Sequence, residues 1–160
     1  TQLASIVYWQ LGSLASILGN ELFAILPVFL VCSTLLLLLS WRINILSFGD
    51  LEARTLGVNL RQVRTIVIIC ASLLTASAVS ISGTIGWVGL VIPHLSRLIA
   101  GSDNTRSMPV TLLIGAIFML MIDTLARTVS TVEVPLSILT GFVGAPLYTL
   151  LLYKQRTRLE

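Results

Sequence analysis

Residues 65–93 read TIVIICASLLTASAVSISGTIGWVGLVIP, 29 residues without a charged side chain. About 20 apolar residues cross the hydrocarbon as one helix, each rising about 1.5 Å. The run is long for one crossing and short for two full ones, and charge decides between them. If it crosses once, Arg42, Arg54, Arg61, Arg64 and Arg127 fall on one side, and Arg97, Arg106, Lys154, Arg156 and Arg158 on the other. If it crosses twice, nine of the ten Lys and Arg residues share a face and Arg127 alone lies opposite. Lys and Arg concentrate on the cytoplasmic side of membrane proteins. Thr65–Ser82 is therefore read as leading out, and Gly83–Ile99 as returning in a short, interrupted segment.

The rest of the chain fits that setting. It has 160 residues, 56% hydrophobic and 11% charged, against about 25% charged in soluble domains. The other uncharged runs are 1–20, 22–41, 107–122 and 134–153. A helix satisfies its own backbone where water is absent. The expected fold is all-α: a polytopic transmembrane helical bundle of about five crossings from Leu22 onward. Residues 1–8 read as the outer end of an earlier helix. Pro27 is expected to kink the first full span. The chain opens at Thr1 inside an apolar run without an initiator Met, which suggests a fragment or a processed piece.

Several chemistries are set aside. Cys32 and Cys70 lie in apolar runs and read as small packing residues. His94, the single histidine, has no Cys, Asp or Glu at ligand spacing and reads as a structural hydrogen-bonder. No metal site is expected, and the net charge of +3 gives no reason to expect nucleic acid. An intramembrane protease would need Ser/His or paired Asp at depth. Asp123 has no second acid there, and neither a nucleophile elbow nor a phosphate-binding loop is present. The chain is not expected to be an enzyme, and any energy source must come from another chain.

Three features remain. Gly83, Gly86 and Gly89 recur every third residue before Pro93, and Gly141 and Gly144 precede Pro146. Such glycines serve either close helix packing or a translocation pathway built from broken segments. Asp123 and Arg127, four apart, share a helix face at the outer end. They form an interfacial salt bridge, or Arg127 meets an acidic partner outside. Finally, residues 42–64 (RINILSFGDLEARTLGVNLRQVR) carry six of the seventeen charged residues. Ser47 or Asp50 can cap a helix there, with Ala53, Leu56, Gly57 and Leu60 in one stripe flanked by Glu52, Arg54 and Arg61. A short cytoplasmic helix of this kind fits a groove on a partner or lies on lipid.

The stretch EARTLGV resembles the Glu-Ala-x-x-x-Gly coupling motif of ABC importer permeases, with Glu52, Ala53 and Gly57 in place and Arg54 replacing the second Ala. SGTIGWVGLVIPHLSRLIAGSDN resembles the signature of the iron-siderophore, haem and vitamin B12 (FecCD/BtuC-like) permeases, with Trp87 where that family usually has Phe. DTLAR, EVPLSILTGFVGAP and YWQLGSL fit in the same order. The resemblance implies the C-terminal half of a permease domain over residues 1–160, with a coupling loop at about 42–64. Its sites would be Glu52, Ala53, Leu56, Gly57 and Leu60 toward an ABC ATP-binding subunit, and Arg127 toward a periplasmic or lipoprotein substrate-binding protein. A second permease chain, as homodimer or heterodimer, would complete the pathway. ATP would be used by the partner subunit, with no cofactor bound by this chain. The setting would be the lipid bilayer of a bacterial or archaeal plasma (inner) membrane. The function implied is import of metal chelates such as iron-siderophore, haem or cobalamin. The alternative is a membrane-embedded scaffold or assembly subunit with no pathway of its own.

Overall fold

The computed structural model describes residues 2–15, 17–49, 55–129 and 134–156. Its elements are α1 (Gln2–Gln10), α2 (Gly19–Leu46), α3 (Leu60–Ser82), α4 (Val88–Ala100), α5 (Asn104–Thr128) and α6 (Leu136–Arg156). Four helices are long and apolar enough to cross a membrane: Gly19–Leu46, Leu60–Ser82, Asn104–Thr128 and Leu136–Lys154. Val88–Ala100 is shorter. Its 13 residues span about 20 Å at about 1.5 Å each, less than the ~30 Å of hydrocarbon. The irregular link 83–87 joins it to α3 at the outer end.

Run 65–93 is therefore broken, and two sets of hydrogen bonds fix its direction. At one end, Asn44 near the close of α2 donates through Nδ2 to Asp103 Oδ1, and the Asn104 N–H donates to Asn44 Oδ1 at 2.8 Å. The 47–59 loop and the 101–103 turn thus share that end. At the other, the Ser13 N–H donates to the Ser82 carbonyl at 3.1 Å, and the Leu136 N–H to the Gly12 carbonyl at 3.0 Å. α3 runs from the first end to the second and α4 runs back, so the two-crossing reading holds. Arg127 lies at the end opposite the other described basic residues.

Non-helical backbone must find hydrogen-bond partners outside the helical ladder. The link does so. The Gly83 N–H donates to the Val79 carbonyl at 2.9 Å. Thr84 Oγ1 donates to the Gln10 carbonyl at 2.6 Å, and Ser137 Oγ lies 2.7 Å from the Thr84 carbonyl.

The helices form an open arrangement. α2 packs on α3 and α5, α4 on α5 and α6, and α5 on α6. The accessible surface is 10986 Å² for 17.3 kDa, against about 7,800 Å² for a soluble monomer of that mass. The excess is apolar helix face, suited to lipid or to further helices. Two buried clusters lie at the ends, Ile45 with Leu60 at the inner and Ile122, Ala126 and Leu136 at the outer, while Cys32, Cys70, Val91 and Ile92 are buried along the spans. Toward the inner end, Thr111 Oγ1 lies 2.6 Å from the fully buried Ser96 Oγ and joins α4 to α5. Pro93 removes the N–H that would bond the Gly89 carbonyl within α4.

Candidate functional site: an inner loop and an outer cap

At the inner end, α2 closes at Leu46, and the Ser47 and Phe48 N–H groups donate to the Asn44 and Ile45 carbonyls. Glu52 and Ala53, in the expected coupling helix, lie outside the described residues, as do Asp50, Leu51 and Arg54. The described part corrects the expected stripe. Thr55 is helical, but Gly57 has φ +72°, the left-handed conformation that ends a helix. Asn59 then caps α3, its side chain accepting from the Gln62 N–H at 3.3 Å. Leu60 is thus the first residue of α3 and packs on Ile45. It is a buried anchor, not a continuation of a stripe through Leu56 and Gly57. The regular spacing concealed this because it carries no mark of the left-handed turn at Gly57.

Leu56 stays exposed, and a Cβ at Gly57 would meet nothing within 4 Å. Beside them Trp41, Arg42, Gln62 and Ile66 line a cavity of about 340 Å³. Phe48 is also exposed at this end. Sequence reading passed over it, although an aromatic between turn residues in an aqueous loop is a visible signal. Asn44 was missed too. It ties the loop's base to Asp103, whose carboxylate also accepts from the Thr105 hydroxyl and N–H at 2.6 and 2.9 Å. The Thr105 hydroxyl first, then its N–H and Asn44, hold the Asp103 pKa below the usual carboxylate value.

At the outer end, the expected Asp123–Arg127 pairing is present: Arg127 Nε donates to Asp123 Oδ2 at 2.9 Å. The pair borders a small recess with Ser13, Leu14, Val134 and Leu136. Ser137 Oγ reaches the carbonyls of both Leu11 and Thr84. Segments 10–13, 82–84 and 136–137 are thereby zipped into a cap.

The glycines do not form one stripe. Gly83 (φ +70°) lies where a Cβ would overlap the Trp9 carbonyl oxygen and come within 3.1 Å of Gly12 Cα. Gly86 and Gly89 face open space. Gly141 and Gly144 receive the Trp87 side chain: a Cβ on Gly144 would come within 2.8 Å of Trp87 Cβ. Pro93 borders a cavity of about 290 Å³ between α2, α3, α4 and α5, beside Ser96 and Arg97. His94 meets the Tyr148 ring edge-on at 5.9 Å. Among the described residues no group of three or more His, Cys, Asp or Glu could hold a metal ion.

With this geometry in place, comparison with known proteins is decisive. The FecCD transport family matches residues 1–154. The chain belongs to that family. Among curated relatives, a molybdate import system permease protein of Haemophilus influenzae is 48% identical over 96% of this chain and 45% of its own length. A cobalamin import system permease protein of Halobacterium salinarum is 39% identical over 95% of this chain and 41% of its own. A hemin transport system permease protein of Yersinia pestis is 38% identical over 97% and 47%. A solved structure described as a metal-chelate-type ABC transporter in an inward-facing conformation superposes with a TM-score of 0.92 at 48% identity. It covers 96% of this chain and 50% of the other. The chain spans less than half the length of these curated relatives. It is an ABC permease-family chain and a multi-pass inner-membrane protein; its relatives are named as permeases, not enzymes.

Proposed function

We propose that this chain is the C-terminal half of the permease domain of an ATP-driven importer that passes a small chelate or anion from a binding protein to the cytoplasm. The observation that carries this reading is the FecCD match over residues 1–154. Relatives named for molybdate, cobalamin and hemin support the class of cargo. Metal chelates such as iron-siderophore, haem and cobalamin are the proposed substrates, with an oxyanion such as molybdate the main competitor.

The inner loop is the proposed seat of the ATP-binding subunit. Glu52, Ala53, Leu56 and Gly57 make the contact, and Leu60 anchors the loop's exit. Support comes from the exposed Leu56 beside a left-handed turn at Gly57, just before α3 begins. Arg127 is proposed to meet the substrate-binding protein, and a second permease chain to complete the pathway. Gly86 and Gly89 are the glycines proposed for the pathway side, since their open face leaves room for a neighbour. Gly83, Gly141 and Gly144 serve packing, and Pro93 sits inside the continuous α4, where it removes one helical N–H donor.

The test is reconstitution of the complete permease with its ATPase and binding protein in vesicles. ATP-dependent uptake of a chelate, competed weakly by molybdate, is expected. Uptake of molybdate alone would overturn the metal-chelate assignment in favour of an oxyanion. An ATPase that neither co-purifies nor drives uptake would leave the scaffold role.

A further inference from the structure

Trp87 is the one non-glycine residue with positive φ among the described residues, at φ 68° and ψ −31°. The Val88 N–H donates to the Gly86 carbonyl at 2.8 Å. That closes a three-residue turn about Trp87, in the rare, strained γ-turn class. Such outliers persist only where their surroundings over-determine them. Here the surroundings are a notch on another helix. Toward Gly141, the ring lies with Cδ1 and Nε1 at 3.5 and 3.4 Å from where a Cβ would stand; toward Gly144, Trp87 Cβ and Cγ lie at 2.8 and 3.4 Å from such a Cβ. Two glycines one turn apart on α6 make the room. The Trp87 carbonyl also accepts from the Leu90 and Val91 N–H groups, so the same residue starts α4. The link on its N-terminal side is held by the outer cap at Ser82 and Thr84. Trp87 is nonetheless 41% exposed, so part of the residue lies outside the notch.

We propose that Trp87 is a conformational latch between α4 and α6. Seated between Gly141 and Gly144, the indole holds the turn strained and the start of α4 fixed against α6. Withdrawn, the turn relaxes to ordinary backbone angles and α4 moves relative to α6 about the fixed cap. The inference rests on the permease reading, in which the two helices must adopt more than one relation during a cycle.

The chain's other tryptophans are Trp9 and Trp41. The Trp9→Phe, Trp41→Phe form of the complete permease, with any tryptophan outside this chain likewise replaced, leaves Trp87 as reporter. With the ATPase assembled in vesicles, its emission and acrylamide quenching are measured without nucleotide and with ATP and vanadate. Withdrawal predicts a red shift and stronger quenching in one nucleotide state. Gly144→Ala, which fills the notch, should show the withdrawn signal in both states. Should Gly144→Ala fail to assemble, Gly141→Ala supplies the milder filling. Identical emission and quenching in both states, in a complex that still imports substrate, would overturn the latch and leave the permease reading standing. Absence of ATP-driven uptake in the unmutated complex would instead count against the permease reading.

Discussion

Replacing Gly83 with alanine attacks the point where the chain reverses between its two crossings. Gly83 has φ 70° and ψ −170°, a region open essentially to glycine alone, at a cost of about 1–3 kcal/mol for other residues. The new methyl would also overlap the Trp9 carbonyl oxygen and crowd Gly12 Cα. Both are backbone atoms, so no side chain can turn aside to relieve the clash. Segment 9–13 must move, straining at least the Ser13–Ser82 and Thr84–Gln10 hydrogen bonds. At about 0.5–1.5 kcal/mol net for each bond, the total loss is about 2–6 kcal/mol. Gly86→Ala is the matched control. It sits three residues on, outside the left-handed region, with nothing within 4 Å, and should change stability by less than about 1 kcal/mol. Reversible unfolding of the complete protein in mixed micelles, followed by helical circular dichroism, measures both. Equal midpoints for Gly83→Ala and Gly86→Ala would refute the close crossing of the 9–13 and 83–87 segments.

Other outcomes follow from the same geometry. Gly57→Leu places a β-carbon at φ +72° and should weaken ATPase association while the membrane fold persists. Gly57→Asn, which tolerates that conformation, should retain association, and equal binding by both variants would remove the turn from the interface. Arg127→Glu sets two acids four residues apart and should weaken binding-protein docking more at low salt than at high; docking that is insensitive at low ionic strength would leave Arg127 as Asp123's partner only. Ser96→Ala removes the Ser96–Thr111 contact and should cost about 0.6 kcal/mol, the mean for such bonds between spans, read from the same unfolding midpoints. Asp103 binds its proton more weakly folded than unfolded. Its contribution is therefore complete above the unfolded value of about 3.9 and lost as pH falls through the lower folded value. Asp103→Asn should flatten the acid limb of the stability profile below about pH 4, and an unchanged limb would show that the Asn44–Asp103–Thr105 tie carries none of it.

What the sequence disclosed depended on which signals are one-dimensional. The distribution of arginines decided whether 65–93 crosses once or twice, because basic side chains near span ends obey a rule that needs no contacts. The Asp123–Arg127 pair was legible because helical spacing alone brings the two together. The roles of the glycines were not. Gly83, Gly86 and Gly89 share a spacing, yet only Gly83 meets backbone from another segment, and α1's closing turn supplies that backbone from more than 70 residues away. Likewise Gly141 and Gly144 take their meaning from Trp87 on a different helix. The stripe through Leu60 misled for a local reason: spacing cannot show the left-handed turn at Gly57, which separates Leu56 from the start of α3 at Leu60. Asn44 escaped notice because its partners, Asp103 and Asn104, lie across a loop and two crossings.

α3 and α4 cross in opposite directions, leaving Leu56 and the end of α6 on the cytoplasmic face and the 83–87 link on the other. Single cysteines at Leu56, Gly86 and Leu152, placed in the complete protein after removal of its native cysteines, test it with a membrane-impermeant maleimide on intact cells. Labelling of Gly86→Cys from outside is expected, with Leu56→Cys and Leu152→Cys reacting only after the membrane is opened. Labelling of Leu56→Cys and Gly86→Cys from the same side would contradict the account.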